Sequence, residues 1–123
     1  MKFEFCLNLF LLSLLFSCTK STPTFEDVDL KMFIEDKKGC LHKRSSMKKS
    51  IVGQKEKLLG LSEIQVVELL GSPDHNELYK RHQKFYYYSI APSAECAYIK
   101  HENTEELIIR FNAVGLSNDV SIE

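Results

Sequence analysis

From Gly60 to Asp74 the chain reads Gly-Leu-Ser-Glu-Ile-Gln-Val-Val-Glu-Leu-Leu-Gly-Ser-Pro-Asp. No other stretch constrains the fold as tightly. Ser62 is placed to cap a helix, and Gln65 three residues on completes a capping box. Leu61 and Val66 match a hydrophobic staple, and Glu63 puts negative charge at the positive end of the helix dipole. Ile64, Val67 and Leu70, with Leu69, recur at helical spacing and predict the buried face. Gly71 can take a left-handed C′ conformation, and Pro73 forbids continuation. Every residue has a capping, packing or terminating role. The helix is therefore a scaffold element with no group left over for chemistry.

Residues 1–17 are expected to be a signal peptide, not part of the fold. Lys2 supplies a basic start, and Phe5 to Phe16 is an apolar run broken only by Asn8 and Ser13. That length suits a signal core and is too short to span a bilayer. The run ends in Leu15-Phe16-Ser17-Cys18, with Leu at −3, a small residue at −1 and a Cys. This resembles the lipobox of bacterial lipoproteins, which implies a lipid-modified Cys18 as the mature N-terminus. Three acyl chains, each worth about 0.8 kcal/mol per buried CH₂, make a stable anchor. Residues 18–24, rich in Ser and Thr, read as a flexible tether. Thr19 lacks the Asp that retains lipoproteins at the inner membrane of enteric bacteria. With no acidic export run, the expected place is the outer membrane, facing the periplasm.

Residues 25–123 are long enough for one small domain. A helix is predicted from Phe25, capped by Thr24, with Glu26, Asp27 and Asp29 early and Gly39 as its stop. Its apolar stripe is Phe25, Val28 and Met32, with Phe33. Cys40 to Ser46 reads as a basic connector. A second helix is predicted from Met47 to Leu58, with Gly53 as a weak point. The lysines of this region, with Arg44, read as a solvated face, the alternative being contact with anionic lipid or an acidic partner.

After Pro73 the period changes to two. Lys84 to Ile90 is an aromatic strand, with Phe85, Tyr87 and Ser89 on one face and Tyr86, Tyr88 and Ile90 on the other. Glu77 to Lys80 reads as its hairpin partner. Glu95 to Lys100 reads as a modest strand. Glu105 to Asn112 alternates cleanly, with Leu107, Ile109 and Phe111 on one side. Asn112 to Gly115 makes a turn into a last strand carrying Val120 and Ile122. Helices first and strands later imply an α+β fold: two or three N-terminal helices on one face of a three- to four-stranded antiparallel meander.

Gly60, Ser62, Val66, Leu70, Gly71 and Pro73 fit G-x-[ST]-x-x-x-V-x-x-x-[LF]-G-x-P. This resembles the signature of the SmpA/OmlA (BamE-like) lipoproteins, a helix-then-sheet module that the beta-lactamase inhibitor protein shares. The aromatic strand and Phe111 to Gly115 follow in the same order. The region from Phe25 to Arg44 is more similar to small lipoproteins of Bacteroidetes. The resemblance implies envelope location, an accessory role in outer-membrane assembly, and no catalytic group.

The composition agrees with a non-enzymatic reading. Net charge is −1, which gives no support to nucleic-acid binding. His42, His75, His82 and His101 fall in predicted loops without metal spacing, and the four cysteines form no Cys-x-x-Cys. No metal or other cofactor is expected, and no nucleophile or phosphate-loop motif occurs. Cys40 and Cys96 are either a disulfide, which an oxidising envelope favours, or two buried thiols. His75, Tyr79, Tyr86 and Tyr88 are the candidate residues for contact with an envelope protein partner. The reading is a lipid-anchored, protein-binding scaffold module of the cell envelope. Alternatives are an inhibitor of a periplasmic or extracellular enzyme, acting through the loop His75 to Lys84, and small-ligand binding on an aromatic sheet face.

Overall fold

The computed structural model describes residues 20–96 and 104–123. Cys18 and Thr19, most of the predicted strand Glu95–Lys100, and His101 lie outside the described residues. Among the described residues, four α-helices precede a four-stranded sheet: α1 Leu30–Glu35, α2 Lys43–Ser46, α3 Lys48–Gln54 and α4 Glu63–Leu70. The strands are β1 His75–Tyr79, β2 Gln83–Ser89, β3 Glu106–Phe111 and β4 Ser117–Ile122. They pair antiparallel in the order β1-β2-β3-β4. This is the expected α+β meander, with the helices on one face.

Helix α4 is capped as its sequence dictates. The Ser62 hydroxyl accepts from the Gln65 amide (3.2 Å), and Gln65 Oε1 accepts from the Ser62 amide (3.0 Å). Leu61 and Val66 are both fully buried. The stretch before the helix is tied to the sheet. The Gly60 amide donates to the Ser117 carbonyl (2.8 Å), and the Ser117 amide donates to the Leu61 carbonyl (2.8 Å). Ser117 Oγ also donates to the Leu58 carbonyl at 2.5 Å.

The buried face of α4 differs from the expected one. Val66, Leu69 and Leu70 point inward, while Ile64 is 72% exposed. Five apolar residues in an eight-residue helix fit more than one face, and the Leu61–Val66 staple fixes which one turns in. Gly71 adopts φ 78° and ψ −178°, not the left-handed helical conformation expected. A side chain there would press on Ile34, so glycine is required.

The N-terminal region also departs from expectation. α1 begins at Leu30, and Asp29, not Thr24, is its cap, accepting from the Met32 amide (3.1 Å). Residues 20–24 are not a free tether. The Lys20 carbonyl accepts from Gln65 Nε2 (2.6 Å), and the Thr24 carbonyl accepts from Lys57 Nζ (2.9 Å). Gln54 brackets Glu26, accepting from its amide (2.8 Å) and donating to its carbonyl (2.7 Å). The predicted second helix, Met47 to Leu58, is divided between α3 and a 3₁₀ turn Lys55–Leu58, the regular helix ending just past Gly53, and the predicted connector Cys40 to Ser46 contains the short helix α2.

Arg44 is not a solvated surface charge; its side chain is fully buried. Its Nε donates to the Phe33 carbonyl (2.9 Å), and its Nη1 donates to Asp74 Oδ2 (2.5 Å) and the Ser89 carbonyl (3.2 Å). The guanidinium lies 4.4 Å over the Phe33 ring, which gives the charge an electron-rich surface. Asp36, also buried, accepts from the amides of Leu41 (2.7 Å) and Arg44 (2.9 Å). Cys40 and Cys96 form a disulfide across 56 residues. Glu95 and Cys96 sit in and just after a turn, not in a strand.

Removing one partner of a buried ion pair strands the other charge. Arg44→Ala is therefore expected to cost about 3–5 kcal/mol of stability in urea unfolding. Cys40→Ala/Cys96→Ala, or reduction, is expected to cost about 2–4 kcal/mol through loss of loop closure.

Candidate functional site

The two faces of the sheet have different fates. On the helix side Tyr88, Ile90, Leu107, Ile109 and Phe111 are buried with Phe33, Leu58 and Leu70. Alternation along β2 and β3 sends Phe85, Tyr87, Ile108 and Arg110 to the opposite side. No helix of the described residues covers that side, and these side chains are half-buried.

Register builds a row of rings on the uncovered face. His75 pairs with Tyr87, and Tyr79 with Gln83. The His75 and Tyr87 rings stack with centroids 4.2 Å apart, and Tyr87 and Phe85 stack at 6.3 Å. Tyr79 meets Phe85 edge-on at 5.9 Å. Four aromatic rings thus run along one side of the β1–β2 hairpin. Carboxylates border them: the Tyr87 hydroxyl donates to Glu77 (3.0 Å), and His75 Nδ1 lies 3.6 Å from Glu106. Burial, then the hydrogen bond to Glu77, raises the Tyr87 pKa above its usual value. The tyrosine stays a neutral donor through the physiological range, and the face combines apolar area with hydrogen-bonding tips.

The four expected contact residues separate into two groups. His75 and Tyr79 lie exposed on this face. Tyr88 does not; it is fully buried, packed 5.9 Å from Phe33, and its hydroxyl donates to the Gly71 carbonyl (2.8 Å). Tyr88 is a core residue. Tyr86 lies on the helix side at the margin of the core, 4.8 Å from Phe111, and its hydroxyl donates to Glu63 (3.0 Å). Phe85 and Tyr87, not named as contact residues from the sequence, occupy the middle of the row. The two-residue alternation already set them apart from Tyr86 and Tyr88. Which set the helices cover depends on tertiary packing.

Elsewhere, Glu63 accepts from Lys84 Nζ (2.9 Å), and this hydrogen bond holds its carboxyl below the usual range. Burial and the bond to Glu63 push Tyr86 up to about 12. A cavity of about 230 Å³ lies beyond His75, lined in part by Lys38, Asp74, Glu95 and Glu106. Among the described residues, no group of three or more His, Cys, Asp or Glu is placed to hold a metal ion. None of their helices is long and apolar enough to cross a membrane.

The Glu63–Tyr86 contact has a pH signature. A tyrosine raised in the folded state favours folding fully below its ordinary pKa near 10, and that advantage is lost as pH rises toward 12. In ultraviolet titration of tyrosinate, Glu63→Gln is expected to move one late-ionising tyrosine to lower pH. Tyr86→Phe is expected to remove that step.

Comparison with protein-family models, with curated proteins and with solved structures gave no match.

Proposed function

We propose that this protein is a lipid-anchored lipoprotein of the cell envelope, held at the outer membrane and facing the periplasm. There it acts as a non-catalytic protein-binding module, with outer-membrane assembly or maintenance as its setting. The observation that carries the binding reading is the uncovered aromatic row of Tyr79, Phe85, Tyr87 and His75. Large, stiff rings with polar tips supply contact area at low entropic cost, which is why interfaces favour them. The anchoring reading draws on the apolar run that ends at Cys18. The envelope setting draws on that leader, and the assembly role on the BamE-like resemblance of Gly60 to Asp74. A disulfide in a chain this small fits an oxidising compartment.

A second reading, inhibition of a periplasmic or extracellular enzyme, draws on the hairpin from His75 to Lys84. Every residue of β1 is exposed. Loss of activity in a panel of envelope hydrolases on adding the protein would favour this reading.

In-cell photo-crosslinking tests the main reading. A photoreactive residue at Phe85 or Tyr79 is expected to capture a discrete envelope protein, and the same residue at Val52, on the helical layer, is not. Tyr87→Ala is expected to weaken binding of that partner by about tenfold or more, as for a central aromatic anchor. Absence of any adduct from the sheet face in repeated trials, or identical adducts from Val52, would sink the proposal.

A further inference from the structure

The described chain begins at one end of the molecule, and that end is chemically distinctive. Lys20 is pinned there. Its carbonyl accepts from Gln65 in the first turn of α4, and its ammonium donates to the carbonyls of Lys57 and Leu59. Cys18 is two residues away in sequence, and two residues reach about 7 Å at most. A lipid on Cys18 would therefore hold this end of the domain at the bilayer, with no slack for the domain to turn away.

The same end exposes apolar side chains. Ser62, which caps α4, pairs with Leu116, and Glu63 lies against Gly115. The β3–β4 turn therefore sits beside the start of α4. Val114 in that turn is 79% exposed, Ile64 is 72% exposed, and Leu116 is exposed as well. Cations lie on the hairpin side of this end. The exposed β1–β2 turn, Lys80–His82, projects from this end, and His82 and Lys84 share a surface depression with Val114. The acids there are Glu63, which is paired to Lys84, and Glu68, which shares a surface depression with Ile64. Exposed apolar residues flanked by lysine and arginine are the pattern of surfaces that rest in an anionic lipid interface.

We propose that this end is a membrane-docking surface. Val114, Leu116 and Ile64 enter the headgroup–acyl boundary of an anionic bilayer, and Lys80 and Arg81 meet its phosphates. The inference rests on the lipoprotein reading, and it adds an orientation that a lipid anchor alone does not give. The opposite end, marked by Leu41 beside the disulfide, stands off the membrane. The strand β2 separates the two ends by seven residues, about 20 Å.

The chain has no tryptophan, so a single one reports its own position. Full-length Val114→Trp and Leu41→Trp proteins, produced with their own leader, are extracted and reconstituted into vesicles. The vesicles contain phosphatidylcholine and phosphatidylglycerol with brominated acyl chains. Mass analysis of the N-terminus reads acylation of Cys18 separately. Insertion to the usual depth of about 5–10 Å is expected to quench Val114→Trp at least about threefold more than Leu41→Trp. The difference is expected to fall at least about twofold without phosphatidylglycerol, or in Lys80→Gln/Arg81→Gln. Ile64→Trp gives a second reading of the same end should the turn variant fail to fold. Equal quenching at the two ends on an acylated protein overturns the docking surface and leaves the anchor standing. An unacylated Cys18 overturns both. Quenching indifferent to anionic lipid overturns the role given to the cations.

Discussion

The buried contact between Arg44 and Asp74 is the interaction on which the rest of the structure depends. A buried guanidinium is costly unless its donors are met, and here two elements and a loop converge on Nε and Nη1, while Nη2 finds no hydrogen-bond partner among the described residues. Phe33 of α1 and Ser89 of β2 supply carbonyls, and Asp74 supplies the countercharge. Asp74 also accepts from the amides of Lys38 and Ser89, and Asp36 accepts from those of Leu41 and Arg44. The loop between α1 and α2 has little regular structure to satisfy its own backbone, and two carboxylates do so instead. The disulfide fixes the same loop from its other side, and Gly39 lies so close to the Ala91 carbonyl that a side chain would collide with it. The helical layer is thereby locked to the end of β2, where the long connection to β3 begins.

What was legible in the sequence was local. The capping box of Ser62 and Gln65, the turn at Gly115 and the alternation of β3 are decided by residues a few positions apart. The meander follows from them. Arg44 stands among lysines, and nothing beside it marks it as buried; its partners lie 8 and 30 residues away. The segment from Lys20 to Asp29 is polar, and it is held by Gln54, Lys57 and Gln65, all supplied by later helices. Composition made it a tether followed by a helix. Tertiary hydrogen bonds make most of it an extended strap, and α1 starts only after Asp29.

The aromatic strand shows the same division between local pattern and packing. Alternation assigned its residues to two faces, but both faces are aromatic, so hydrophobicity could not say which is covered. Register settles it. Tyr88 lies across from Leu107 and Tyr86 from Ile109, the inward positions of a strand whose own alternation is unambiguous. Phe85 and Tyr87 are then left on the far side. β1 extends beyond the helical layer, so even Leu78, on the helix side, is exposed. A sheet with one face buried in its own core and a ring-lined face open has formed its fold without using all its aromatic surface.

The two proposed surfaces constrain each other. β2 runs from the end where Lys20 is pinned toward the disulfide end, and the aromatic row follows it. With the Lys20 end on a bilayer, the row stands along the membrane normal, and a partner meets it from the side. Tyr79 and Phe85 are then nearest the headgroups, while His75 and Tyr87 lie farther out. The same orientation turns the Lys80–His82 tip of the hairpin toward the lipid. An inhibitor that works by inserting that tip into an enzyme cleft would need it free in solvent. The membrane-docked arrangement and tip-first inhibition therefore exclude one another, whereas docking and lateral binding to an envelope protein use different surfaces and can act together.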